Sequence, residues 1–227
     1  MGILIGYLCL ICGVLLLAKF LAKRMGFKKA DRFFMRIHKY VACAFFILGL
    51  IHFCLVIKVL DTRHIAVTIS GIVIWVIGLI LTIICHTMKD RKREIQFHRA
   101  FSFVLAFAIV VHVISYYVDY NNYQESISSI KLEGINLKNV SDGEYIGEYD
   151  AGYIYAKVKV TIKKNKIYNI DILKHDNERG QRAESIIDSI IQKQRFDVDA
   201  ISGATNSSLV IEKACENAVR EGNGKKN

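Results

Sequence analysis

The hydrophobic pattern divides the chain near residue 118. Before that point apolar positions come in four unbroken runs, Gly2–Ala18, Tyr40–Ile57, Ile65–Met88 and Ala100–Val118, each without Lys, Arg, Asp or Glu. Each run approaches the ~20 residues that a helix needs to cross a bilayer. The third is long enough to tilt, and Tyr116, Tyr117 and Tyr120 close the fourth as an interfacial aromatic anchor. Proline is absent, so no run is broken that way. Four spanning helices are predicted. After a polar stretch, Asp119–Ser129, the period changes. Gly143–Tyr149, Ile154–Ile162 and Ile167–Leu173 read as strands. Ile154, Ala156, Val158, Val160 and Ile162 share one face of the second, and Tyr168, Ile170 and Ile172 one face of the third. The turn Lys163-Lys164-Asn165-Lys166 joins these two into an antiparallel meander with one wet face. A helix over about Arg182–Gln194 carries Ala183, Ile186, Ile187, Ile190 and Ile191 at helical spacing, and another is expected over roughly Ser207–Arg220. The fold class is a membrane protein with a four-helix transmembrane α bundle followed by a small α+β domain. The expected boundaries are 1–118 for the bundle, 119–139 for a linker, 140–221 for the domain and 222–227 for a tail.

Charge changes the picture in one respect. Residues 1–118 carry a net +11 and the remainder −1, so the basic excess flanks the apolar runs and points to a membrane, with no nucleic-acid partner. The link 19–39 holds eight Lys or Arg against Asp31 alone, and the link 89–99 holds five against Asp90 and Glu94. By the positive-inside bias both links are cytoplasmic. The chain is then a multi-pass protein of the cytoplasmic membrane, with its N-terminus and its C-terminal domain extracytosolic. No cationic stretch precedes the first run, so it is expected to be retained rather than cleaved as a leader. Five of the six cysteines fall inside apolar runs, where Cys acts as a small apolar residue, and no disulfide is predicted.

The polar residues within the runs carry more. His38 and His52 are fourteen positions apart, as are His98 and His112. Fourteen residues make close to four turns and about 21 Å of rise, so the two His of each pair face nearly the same way. With the second and fourth helices parallel, His38 and His98 lie at one depth near the inner face, and His52 and His112 at another nearer the outer face. Buried membrane His is costly and by default functional. His86, near the inner end of the third helix, could replace either inner residue, and His64 reads as an interfacial residue. The stretches His38-Lys39-Tyr40…Gly49-Leu50-Ile51-His52 and Phe97-His98-Arg99-Ala100…His112 resemble the core of the ferric-reductase-like transmembrane family. That family includes NADPH oxidases and the membrane subunit of the periplasmic methionine sulfoxide reductase system. The resemblance covers about residues 36–118, with four helices where the family usually has six. It implies two stacked b-type haems, with His38 and His98 as axial ligands of one iron and His52 and His112 of the other.

The second half holds Asp199-Ala200-Ile201-Ser202-Gly203-Ala204-Thr205, directly before the last predicted helix, and Asp142-Gly143-Glu144-Tyr145-Ile146-Gly147 at its first strand. Gly203 allows close backbone approach, Ser202 and Ala204 leave room beside the Thr205 hydroxyl, and a helix N-terminus favours a phosphate. Together these segments resemble the FMN-binding domain family found in the C and G subunits of the bacterial NADH:quinone and ferredoxin:NAD pumps, over about residues 140–221. The resemblance implies a covalent FMN whose phosphate a separate flavin transferase, taking FMN from FAD, esterifies to Thr205. It also implies a loop around His175, Asp176 and Asn177 that approaches the flavin ring. Asp199 is expected either to hold the loop through backbone N–H groups or to be recognised by the transferase.

Taken together, these resemblances imply a flavocytochrome. Electrons from a donor on the cytoplasmic side or in the membrane would pass through two haems to the FMN outside. No nicotinamide-binding glycine loop is present, so the donor is a separate reductase or a membrane quinol, and no residue is assigned as catalytic. Two other readings stand beside this one: a haem-free, membrane-anchored FMN subunit of a larger redox complex, and a non-redox flavin-binding or sensing module.

Overall fold

A computed structural model describes residues 2–177 and 180–224. The chain forms two compact units, 1–117 and 118–227. Glu178 and Arg179 of the expected flavin-side loop, and residues 225–227 of the tail, lie outside the described residues.

The first unit contains α1 (Gly2–Arg24), α2 (Lys28–Val56, continued by a 3-10 turn Ile57–Thr62), α3 (Ile65–Thr87) and the first part of α4 (Arg91–Ser128). All four helices are long and apolar enough to cross a membrane. Most of their apolar side chains point outward, Phe107 for example being 70 % exposed, as expected where lipid rather than protein covers them. The helix ends follow from local chemistry. Gly26, at φ +74°, lets Phe27 N–H reach Ala22 O and Gly26 N–H reach Lys23 O, which closes α1 in a Schellman motif. The Asp90 carboxylate accepts from Lys92 N–H and Arg93 N–H and caps α4. His64 accepts from Ala66 N–H at the start of α3, so this loop histidine serves as a cap. The helices close into a ring. α1 packs along α2, α2 meets α3 through Phe46 and Trp75, α3 meets α4 through Ser70 and His112, and α4 returns to α1 through Phe103 and Phe20.

The second unit begins within α4. The polar stretch 119–129, expected to be a linker, is helical through Ser128, and Tyr123 and Ile127 are buried in this unit's core. β1 (Gly143–Asp150), β2 (Tyr155–Lys163) and β3 (Lys166–Asp176) form an antiparallel meander. On β2, Ala156, Val158, Val160 and Ile162 are fully buried, as their alternation predicts. On β3 the expected face is partly wrong. A register shift between Thr161 and Ile162 places Ile167 in the core and leaves Tyr168 63 % exposed, because a bulge moves later side chains to the other face. The segment expected as one helix over 182–194 is a 3-10 turn, Gln181–Ser185, followed by α5 (Ile186–Lys193). Gln194, in the left-handed region at φ 53°, ends it.

The long α6 (Thr205–Gly224) lies across β1 and β2. At Gly147 a Cβ would run into the backbone of Ala214 and Ala218, so strand and helix touch main chain to main chain. The buried Glu216 accepts from Glu133 N–H and Gly134 N–H and pairs with Lys213 Nζ at 2.7 Å. It thereby pins the segment entering β1 to α6.

Candidate functional site

The motif loop runs from Arg195 to Ala204. Its inner half is anchored by Phe196 and Val198 in the core. Two side chains from α6 then hold its backbone: Glu212 Oε1 accepts from Val198 N–H at 3.1 Å, and Ser208 Oγ from Ile201 N–H at 3.0 Å. Ala204 N–H returns to Ile201 O. The loop-holding that Asp199 was one candidate for is done by Glu212 and Ser208. Asp199 itself is a surface residue with its carboxylate 2.6 Å from Lys193 Nζ. That ammonium holds its carboxyl below the usual range. Glu212 shows the reverse, since burial pushes its carboxyl up to about 7, with Asp197 and Asp199 adding to the shift.

Gly203 sits at φ +74°, a conformation glycine adopts without strain, and turns the chain into α6. Thr205 is the first residue of that helix and is exposed, as are Ser202 and Gly203, while Ala204 is buried. Ala204 stands where a capping residue would. It offers no side-chain oxygen to the first-turn N–H groups, which leaves that end of a 20-residue helix suited to an anion. One cation is close: Arg182 Nη1 lies 3.8 Å from where a Gly203 Cβ would sit. Behind the turn, Gly180 is packed so tightly on Ser207 that any side chain there would clash with the Ser207 hydroxyl. An exposed hydroxyl, an open helix terminus, a nearby guanidinium and small residues around all three fit a phosphate ester at Thr205.

His175 and Asp176 belong to β3 rather than to a loop, opposite Ala156 and Tyr155. The His175 side chain is only 2 % exposed, and its Nδ1 lies 3.0 Å from Glu184 Oε1. The carboxylate can only accept, so Nδ1–H donates to it. The His175 Nε2 is buried and has no hydrogen-bond partner among the described residues.

In the membrane unit two of the four singled-out histidines share one trait. His52 Nδ1 donates to Gly2 O at 2.9 Å. Ser70 Oγ spends its proton on Ala66 O or Val67 O, so His112 Nδ1 must donate to Ser70 Oγ, also at 2.9 Å. Both rings are thus held as Nδ1–H tautomers with Nε2 bare, the arrangement in which histidine meets a metal. Glycine makes room for each: Gly6 faces His52 Cε1 and Gly71 faces His112 Cε1. His38 and His98 come together with ring centres 6.0 Å apart. His38 Nδ1 is buried and has no partner among the described residues. His86, by contrast, is exposed and bonds Thr82 O of its own helix. Among the described residues no group of three or more His, Cys, Asp or Glu could hold a metal ion by itself. The histidine pairs are two-ligand sets, which suit a metal whose remaining ligands a macrocycle supplies.

Arg182, Ser208, Glu212 and Tyr123, whose hydroxyl accepts from Asn206 Nδ2 at 2.7 Å, were not evident as site residues in the sequence. All reach the motif through tertiary contacts.

Residues 152–220 match the FMN-binding domain family, and they follow four helices long and apolar enough to cross a membrane. No curated protein and no solved structure matches the chain.

Proposed function

We propose that this chain is a membrane flavocytochrome that carries FMN as a phosphoester on Thr205 and haem on its histidine pairs. The observation that carries the reading is the exposed Thr205 hydroxyl opening α6, beside Gly203 and Arg182, within the matched FMN-binding domain. When bound, the flavin supplies one- or two-electron chemistry and the haems one-electron transfer. The chain's own residues hold and orient these groups. His38 with His98, and His52 with His112, would hold the haem iron, while Gly2 O, Ser70 and Ser102 orient the rings of His52, His112 and His98 through Nδ1. Gly203 and Ala204 leave Thr205 open to a separate flavin transferase. As the Thr205 Oγ–P bond forms, the FAD phosphoanhydride breaks, AMP leaves and the hydroxyl proton passes to solvent. By the positive-inside bias, the cationic links support an extracytosolic flavin domain. Electrons come from a separate reductase or a membrane quinol, and the basic inner loops suit an acidic donor.

The test is co-expression with a flavin transferase, followed by in-gel flavin fluorescence after denaturing electrophoresis and an absorption spectrum of the purified protein. A fluorescent band that Thr205→Ala abolishes establishes the ester. A Soret band weakened, with its inner component kept, in His52→Ala and His112→Ala establishes the outer haem. A fluorescent protein without Soret absorption would instead be a haem-free flavin subunit, and no band at all would leave a membrane protein with an unmodified domain.

A further inference from the structure

Neither flavin nor haem accounts for the first three turns of α2. Lys28, Arg32, Arg36 and Lys39 follow one another at intervals of four, four and three residues. They therefore form one stripe along the helix, about 16 Å long. Lys29 lies beside it, and an arc of about 100° holds all of these cations. Every one of their side chains is exposed. The opposite side of the same turns carries Ala30, Asp31, Phe34, Ile37 and His38, all half-buried. Asp31, the one acidic residue of this stretch, is thus turned away from the cations. The stripe does not stop at Lys39. Cys43, Ile47, Leu50 and Cys54 continue it at the same spacing and are also exposed. They lie in the span long and apolar enough to cross a membrane, on the side that lipid covers. The cations stand in line with that lipid-facing side. Exposed Phe33, Met35 and Tyr40 flank them, a mixture of aromatic and basic side chains suited to a membrane interface.

We propose that this stripe binds the headgroups of anionic phospholipids. The apolar run that begins at Tyr40 fills the hydrocarbon layer, about 30 Å thick, which puts Lys39 and Arg36 among the headgroups. Arg32, Lys29 and Lys28 follow over the next turns, inside the field that a charged membrane surface extends about a Debye length beyond itself. Each Arg offers a planar fork of N–H donors to phosphate oxygens, and each Lys a compact charge. A zwitterionic headgroup brings its own cation to the phosphate and gains less from the stripe. An acidic protein would approach cations that face the aqueous phase. These cations share their direction with Cys43, Ile47, Leu50 and Cys54, so the placement favours lipid. Lipid held there fixes the depth of α2 in the membrane. The remaining basic residues of the two cationic links stay open to an electron donor.

The experiment uses the full-length protein, purified in an uncharged detergent and mixed with phosphatidylcholine micelles. These carry a trace of fluorescent phosphatidylglycerol or, in parallel, of fluorescent phosphatidylcholine. The protein is recaptured and the retained label of each kind is measured. The wild type is expected to retain phosphatidylglycerol severalfold over phosphatidylcholine, and the ratio should fall toward one in 1 M salt, where the Debye length is about 3 Å. The variant Lys28→Gln/Arg32→Gln/Arg36→Gln/Lys39→Gln should lose the preference at low salt as well. Removal of as many charges from the second unit, in Lys138→Gln/Lys163→Gln/Lys164→Gln/Lys166→Gln, should leave it unchanged. Equal retention of the two lipids by the wild type overturns the proposal, as does a wild-type ratio in the stripe variant. Should the stripe variant fail to fold, the salt series on the wild type decides, and a preference that survives 1 M salt overturns it. An acidic protein released from the wild type by salt, with both lipids retained equally, would assign the stripe to a protein partner instead.

Discussion

The two units solve opposite problems. The flavin domain buries its apolar residues, with Ala156, Val158, Val160, Ile186, Ile190, Val210 and Ile211 fully enclosed, and exposes the small residues of its motif. The membrane unit turns its apolar residues outward and keeps His38, His52, His98 and His112 half-buried. In water the hydrophobic core is the scaffold, and the motif sits on a loop that the core holds still. In lipid apolar side chains discriminate little between inside and outside, so structure and function are both read from the few polar groups and from where backbones approach.

Glycine contacts give the largest expected difference between the units. A Cβ at Gly147 would meet the main chain of Ala214 and Ala218, which cannot turn aside. A Cβ at Gly78 in α3 would meet only the far edge of the Phe46 ring, 2.6 Å away, which can rotate. Gly147→Ala is therefore expected to destabilise the flavin domain by about 3 kcal/mol or more, a large share of a small domain's stability. It should reduce covalent flavin labelling in step, while Gly78→Ala leaves labelling intact. Limited proteolysis of the full-length protein, read beside in-gel fluorescence, measures both. Equal loss in the two variants would mean that the units fold as one, and the contrast drawn here would fail.

Much of this contrast was legible in the sequence, though unevenly. The four runs located the helices because nothing but a membrane span needs so many consecutive apolar residues. Their ends were longer than the runs because polar residues continue a helix freely once it leaves lipid. Asp119–Ser129 was misread for that reason. Its Asn, Gln and Ser suggested a linker, while Tyr123 and Ile127, four residues apart on one helical face, bury against the domain. The β3 face was misplaced by a bulge that alternation alone does not reveal. The Thr205 motif and the fourteen-residue histidine spacing were visible because each is local or periodic. Arg182 beside Gly203, Ser208 and Glu212 on the loop, and Gly2 O and Ser70 on the histidines were hidden, since each comes from another part of the chain and carries no sequence spacing of its own.

A smaller effect sharpens the aqueous side of the comparison. Glu212 is 1 % exposed yet supports the motif loop. Folded, it keeps its proton up to about pH 7, while the unfolded carboxyl loses it near 4.5. The folded state therefore holds the extra proton between those values. Stability from this group is complete below about 4.5 and is lost as pH rises through about 7, by about 3 kcal/mol at most. Glu212→Gln keeps an acceptor for Val198 N–H and is expected to flatten that slope. The measurement is the urea midpoint of the full-length protein at about pH 5 and about pH 8. An unchanged slope would show that water reaches the carboxylate and that its burial does not govern the loop.

The smallest expected effect lies in the membrane unit, where one hydroxyl orients one ring. Ser70 Oγ gives its proton to its own helix and accepts from His112 Nδ1. Ser70→Ala removes that acceptor while leaving the helix bonds of α3 intact. Its cost in stability should be only about 1 kcal/mol. Loss of such an outer partner typically weakens metal ligation tenfold or more, so the haem signal should respond out of proportion to the stability. The outer Soret component is expected to titrate away at lower competitor concentration, or to shift, while covalent flavin labelling and the proteolysis pattern stay as in the wild type. If Ser70→Ala and wild type have the same spectrum and retain haem equally, His112 is not an axial ligand. Its bond to Ser70 would then be a polar tie between α3 and α4, and the membrane unit would be an anchor for the flavin domain.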